Sequence, residues 1–270
     1  MKEAIQGGVI KVIVQDDMWR NIPLIHVFDE KMNESTPVVI FLHGFLSAKE
    51  HNLHYAYQFV KKGMRVIMPD AYLHGERSKG LNEMQMNIDF WKIVLSSIKE
   101  VNTIYEELVA RGLLASNKIG LAGTSMGGIV TSGCLKKYDW IQTAAICMGA
   151  PGYNELADYQ MKQIEAKGIK LPITSKQKEQ IQQSLAEYDI TNEPEAFKNR
   201  PVLFYHGKKD KVVPFQPTFD FYLKLRSYYE QSPKSLKFIE EPREGHKVNR
   251  NGVLAVTDWL AQHLAVKVSL

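Results

Sequence analysis

Gly123-Thr124-Ser125-Met126-Gly127 constrains this chain more than any other stretch. It stands between Lys118-Ile119-Gly120-Leu121-Ala122, which reads as a buried strand, and Gly128 to Leu135, a run of small and apolar residues that reads as a helix. A strand that turns into a helix over so few residues strains the backbone at the apex. It also lifts the apical side chain clear of the end of the sheet. Glycine two before and two after the apex removes side chains that would collide in the turn. Ser125 is therefore a candidate nucleophile. The rest of the chain has to supply a base, an acid and donors for an anionic oxygen.

The hydrophobic pattern around that stretch alternates between strand and helix. Val9 to Val14 and Ile22 to Phe28 are β-rich runs, and Asp16 to Arg20 between them predicts an antiparallel hairpin. Pro37 to Leu42, Arg65 to Pro69, Thr143 to Met148 and Pro201 to His206 are short and apolar, the pattern of strands buried on both faces. Ser235 to Ile239 predicts a further strand. Between them lie a helix opened by Ser47 with Glu50 at capping-box spacing and ended at Gly63, and a long amphipathic helix from Trp91 to Leu108. Phe215 to Tyr229 and Asn251 to Val266 predict the last two helices. Such alternation argues an α/β fold: a mostly parallel, doubly wound sheet with helices on both faces. The whole of residues 1–270 is expected to form a single domain. Residues 151–200 are rich in Lys, Gln and Glu with little β signal, and are expected to form a small helical cap insertion.

In an open parallel sheet, ligands bind at the carboxyl ends of the strands, where the loops after them gather. His246 lies in such a loop, beside Gly245, and is the candidate base. Asp210, just after the Pro201–His206 strand, is the candidate acid that orients it. The order Ser, Asp, His follows the chain order of one serine-hydrolase design among several. Asp220 and Glu244 are the rival acids. The backbone N–H of Met126 and that of Phe45 are the candidate oxyanion donors, with Leu46 as the rival to Phe45. His43 reads as a structural ring beneath its loop. His74, Glu76 and Arg77 suggest a hydrogen-bonded loop network. His74 and, from the insertion, Tyr153 are candidates to touch substrate.

These pieces together resemble the α/β-hydrolase superfamily. They are His43-Gly44-Phe45, Pro69-Asp70 with His74 to Ser78, Gly123 to Gly128, His206 to Pro214, and Gly245-His246. Within it the chain is similar to the prolyl-oligopeptidase-like and dienelactone-hydrolase-like bacterial esterases, over roughly residues 20–265 with the insertion left out. The resemblance implies an α/β-hydrolase fold and cleavage of a carboxylic ester through an acyl-enzyme. Peptide, amide or thioester cleavage would use the same parts. A binding protein that kept the fold without turnover is the other class.

Composition excludes more than it selects. A net charge of +4 is spread along the sequence, and no basic run marks a nucleic-acid face. No apolar stretch approaches the ~18 residues a membrane helix needs, and no signal peptide is expected. Cys134 and Cys147 lie in apolar surroundings, as buried thiols do in the cytoplasm. Gly120 to Gly128 lacks the Gly-Lys ending of a phosphate loop, and His51 and His54 lack a zinc spacing, so no cofactor and no metal are expected. The expected partner is a small-molecule ester. Homo-oligomerisation is left open.

Overall fold

The computed structural model describes residues 10–115, 117–166, 168 and 174–264. The strands are β1 (Val12–Trp19), β2 (Ile22–Asp29), β3 (Val38–Leu42), β4 (Arg65–Pro69), β5 (Ile119–Thr124), β6 (Thr143–Cys147), β7 (Val202–Gly207) and β8 (Leu236–Glu241). They form one sheet in the order β1-β2-β4-β3-β5-β6-β7-β8. The β1–β2 and β2–β4 pairs are antiparallel, and every pair from β4 through β3 to β8 is parallel. This is the expected mostly parallel α/β sheet.

The helices are α1 (Leu53–Lys61), α2 (Glu83–Ile88), α3 (Phe90–Ala110), α4 (Met126–Lys137), α5 (Tyr153–Ala166), α6 (Ser175–Ala186), α7 (Phe215–Leu225) and α8 (Arg250–His263). Two apolar layers flank the sheet. Side chains of α3 and α4 pack with Val38, Ile40, Leu121 and Ile146 on one face, and those of α1 and α8 pack with Val39, Phe41, Ala122 and Ala145 on the other. Alternate residues of one strand thus enter opposite layers, which is why the central strands are apolar without a break.

Three local expectations are corrected or fall outside the described chain. The first hairpin turns at Arg20-Asn21, with φ of 48° and 64°, and not across Asp16 to Arg20. Two successive positive φ values fit the two-residue turn that matches strand twist, so Asp16 and Asp17 stay in β1. Asp17 is held there by the Trp19 indole N–H, which donates to its carboxylate at 2.8 Å. The Ser47–Glu50 capping box does not form: the helix begins with a 3-10 turn, Lys49–Asn52, with no side-chain cap. Asp70, from the end of β4, instead accepts the Lys49 N–H at 3.0 Å. Val9, and Ala265 and Val266 at the end of the last expected helix, lie outside the described residues.

The chain leaves the sheet after β6 and returns at β7, and α5 and α6 are the helices of that excursion. Tyr153 anchors α5 onto α4. Its ring is fully buried, and its hydroxyl donates to the Ile129 carbonyl at 2.6 Å. Asp189, at the far end of the excursion, accepts the Tyr153 and Asn154 N–H groups at 2.7 and 3.2 Å. Among the described residues no helix is long and apolar enough to cross a membrane.

Beneath the β3 and β4 loops, the Lys49 ammonium is wholly buried, 3.0 Å from the equally buried Asp70 carboxylate and 2.5 Å from Glu76. Removing one member of such a pair strands the other charge without solvent. Lys49→Met is expected to lower unfolding free energy by about 3 kcal/mol, measured by urea denaturation.

Candidate active site

Ser125 sits between β5 and α4 with φ 56° and ψ −119°, a conformation that L-residues avoid. Tight packing maintains it. Ser125 N–H donates to the Cys147 carbonyl at the end of β6 (2.8 Å), and its own carbonyl accepts the Ile129 N–H at 3.0 Å. A Cβ on Gly127 would lie 2.2 Å from the Leu42 carbonyl oxygen, and one on Gly123 would lie 2.4 Å from the Gly127 backbone. Both positions therefore need glycine for the turn to close against β3.

The loops after β7 and β8 bring two further side chains to Ser125. They are tied to each other: Lys208 N–H donates to the Glu241 carbonyl and Lys209 N–H to the Glu244 carbonyl, each at 3.0 Å. His246 Nδ1 lies 2.7 Å from Asp210 Oδ2, and His246 Nε2 lies 2.7 Å from Ser125 Oγ. Because the carboxylate only accepts, Nδ1 carries the proton and Nε2 is left to accept from the serine hydroxyl. The three residues expected as nucleophile, base and acid thus lie in one hydrogen-bonded row. Asp220 is bonded to Gln216 on the surface of α7, away from His246.

Asp210 is saturated with donors. Its Oδ1 accepts the N–H groups of Val212 (2.9 Å) and Val213 (3.0 Å). Its Oδ2 faces His246 and, at 3.3 Å, His206 Nε2, whose N–H donates to the Val213 carbonyl at 2.9 Å. Burial alone would push its carboxyl up. The nearby His206 ring, the His246 ring N–H and the Val212 N–H outweigh that and hold it well below the usual carboxylate range. His206 was not singled out in the sequence. Its spacing of four from Asp210 across the strand end was the available signal.

Phe45 and Leu46 follow β3. Leu46 N–H donates to His74 Nε2 at 3.0 Å, so the rival donor is already engaged. The N–H groups of Phe45 and of Met126, the first residue of α4, have no acceptor among the described residues. Met126 also stands at the positive end of the helix dipole. The loop passes directly beside the serine: a Cβ on Gly44 would lie 3.5 Å from Ser125 Cβ, an ordinary contact.

The two residues expected to touch substrate do not lie open to one. Both ring nitrogens of His74 are bonded within the loops, and only 3% of the residue is exposed. Tyr153 is fully buried against α4, its polar tip satisfied by Ile129. The insertion meets the site through Tyr159 instead, whose hydroxyl donates to the carbonyl of Lys211, the residue after Asp210, at 3.0 Å. Among the described residues no group of three His, Cys, Asp or Glu is placed to hold a metal ion.

A serine hydroxyl bonded to an imidazole, with unengaged N–H groups on the next residue and in the adjacent loop, suits attack on a carbonyl carbon. The model of the prolyl oligopeptidase family matches residues 51–267. The chain belongs to that family. YitV of Bacillus subtilis (strain 168), a proposed esterase, is 40% identical over 252 residues, which span 93% of this chain and 99% of that protein. Esterase YjfP of Escherichia coli (strain K12) is 29% identical over 250 residues, spanning 90% and 96%. The crystal structure of TT1662 from Thermus thermophilus superposes with a TM-score of 0.75 at 20% identity, over 94% of this chain and 99% of that one. It shares the α/β-hydrolase fold of this member of the prolyl oligopeptidase family.

Several histidines are held neutral by burial. His26 and His43 are each pushed down to about 4, the first also by Arg65, and His74 is pushed down in the same direction. A group whose folded-state pKa is depressed stabilises the fold fully above its unfolded value of 6.5. That stability is lost as pH falls toward about 4, because the unfolded chain takes up the protons first. Melting temperature measured by calorimetry is expected to fall steadily between pH 6.5 and 4. A flat profile over that window would show that these rings are not held neutral.

Proposed function

We propose that this serine ester hydrolase works through an acyl-enzyme on Ser125, with His246 as base, Asp210 as its orienting acid, and the N–H groups of Phe45 and Met126 as oxyanion donors. The observation that carries the reading is the unbroken Ser125–His246–Asp210 row, with 2.7 Å at each junction. Ser125 Oγ attacks the ester carbonyl carbon while His246 Nε2 takes its proton. The tetrahedral oxygen, now negative, sits between the two N–H groups. As the ester C–O bond breaks, His246 returns the proton to the leaving alcohol. Water, deprotonated by the same ring, then releases the acid and frees the serine.

Ester cleavage is favoured over peptide cleavage by the esterase names of both curated relatives. Residues 151–200 serve as the cap over this site. The bond from Tyr159 to Lys211, one residue from Asp210, supports that placement. The free, buried thiols Cys134 and Cys147 support a reducing compartment, the cytoplasm. The substrate is a small-molecule ester.

Purified protein is expected to hydrolyse p-nitrophenyl acetate, to leave aminoacyl p-nitroanilides uncleaved, and to be labelled by a fluorophosphonate probe. Ser125→Ala should abolish labelling and lower kcat by about 10⁴-fold or more. A variant that keeps most of its activity would mean that another residue is the nucleophile. Asp210→Asn preserves shape while removing the charge that fixes the His246 tautomer, and should lower kcat by about 10⁴-fold. Steady-state kinetics at saturating ester checks it.

A further inference from the structure

Two histidines that touch neither Ser125 nor Asp210 make a reciprocal clasp. His43, after β3, bonds its Nδ1 to the Gly44 carbonyl at 2.7 Å and its Nε2 to the Ala71 N–H at 3.0 Å. His74, after β4, bonds its Nδ1 to the Tyr72 carbonyl at 2.9 Å and its Nε2 to the Leu46 N–H at 3.0 Å. Each ring thus grips its own loop through Nδ1 and the other loop through Nε2. Carbonyl oxygens only accept, so both rings carry their proton on Nδ1, and both Nε2 atoms are acceptors. The ring centroids lie 5.2 Å apart and both residues are buried, 3% exposed each.

The consequence lies in the peptide between Gly44 and Phe45. A trans peptide is planar, and its C=O and N–H point in opposite directions. The His43 ring fixes the Gly44 C=O, and so it also fixes the direction of the Phe45 N–H at the other edge of the same plane. His74 takes hold of the next N–H, that of Leu46, whose φ of 56° lies in the strained left-handed region. Left free, that second peptide would be able to rotate and carry Phe45 with it. The Phe45 ring itself packs edge-on against His74, with centroids 5.6 Å apart.

We infer that His43 and His74 are positioning residues that aim the Phe45 N–H at the oxyanion, His43 by holding the Gly44 carbonyl and His74 by withdrawing the Leu46 N–H. The inference rests on the proposed role of Phe45 beside Ser125. The rings act on the developing negative oxygen and not on substrate in the ground state, so their loss is felt in kcat rather than KM.

Paired variants separate the two roles from simple loss of packing. His43→Asn keeps an N–H donor near the position of Nδ1, whereas His43→Gln places its amide near Nε2 and leaves the Gly44 carbonyl unheld. His74→Phe keeps the ring against Phe45 and removes the acceptor, and His74→Gln restores an acceptor near Nε2. His43→Gln and His74→Phe should lower kcat on p-nitrophenyl acetate by about 10²-fold, with KM within about threefold of wild type. Inhibition by an alkyl trifluoromethyl ketone, whose serine adduct carries the oxyanion, should weaken by the same factor. His43→Asn and His74→Gln should recover most of both losses. If His43→Gln does not fold, His74→Phe and its Gln partner carry the test. The inference is overturned if the folded variants keep kcat within about threefold, or if loss of rate follows loss of melting temperature alike in all four. A wild-type protein that neither turns over the ester nor takes the fluorophosphonate would overturn the Ser125 reading instead.

Discussion

The backbone contact between Gly127 and the Leu42 carbonyl is the constraint on which the rest of the site depends. At 2.2 Å from that oxygen, a single methyl group would not fit. The contact draws the first turn of α4 against the end of β3, and it also brings Gly44 beside Ser125. Placing the nucleophile thereby places the loop that carries Phe45. The cost is a serine in an unfavourable backbone conformation, of order 1–3 kcal/mol. Burial of nearly all of α4, with the bonds from Ser125 to Cys147 and Ile129, offsets it. Strain at one residue is sustainable because the surrounding strands are parallel, apolar and paired on both sides.

Apart from Met126 at the start of α4, the other residues of the candidate site come from loops, and each loop is tied to a neighbouring one. The loops that carry Asp210 and His246 are joined by two backbone hydrogen bonds through Lys208 and Lys209. The loop after β3 and the loop after β4 exchange two bonds from backbone N–H groups to histidine rings. Beneath the second pair, Lys49 and Asp70 form an ion pair out of reach of water. Loops are ordinarily the mobile part of a fold. Tying each loop to a neighbour limits how far the groups it carries can reorganise.

The sheet was legible in the sequence because its central strands are buried on both faces. Val38 to Leu42 and Thr143 to Cys147 have no polar face to confuse with a helix. The hairpin was less legible because β1 is an edge strand with one face in solvent. Asp16 and Asp17 occupy that strand yet look like turn residues, and Arg20-Asn21 looks unlike the usual Asn-Gly. Ser125 is marked by the glycines two before and two after it at a strand-to-helix turn, and Asp210 and His246 by their places after strands, which topology converts into proximity. Tyr153 misled because an aromatic residue with a polar tip gives the same signal whether it lines a cleft or anchors a helix. Here Ile129 satisfies the tip internally. The clasp was hidden because its partners are backbone groups of Leu46 and Ala71, which carry no side-chain signature.

The histidines divide by what their environment does to a proton. His26, His43 and His74 are buried, and burial opposes charging them. They therefore persist as neutral rings with one donor and one acceptor, the form that a structural brace requires. His246 is placed differently. Its ring is 23% exposed, and its Nδ1 faces at 2.7 Å a carboxylate that also accepts the Val212 and Val213 N–H groups. A base must accept a proton during the reaction and release it later, so it needs a counter-charge and some contact with solvent. Sequence alone shows eight chemically identical side chains. Burial sets His26, His43 and His74 apart, and the Asp210 carboxylate singles out His246, the proposed base.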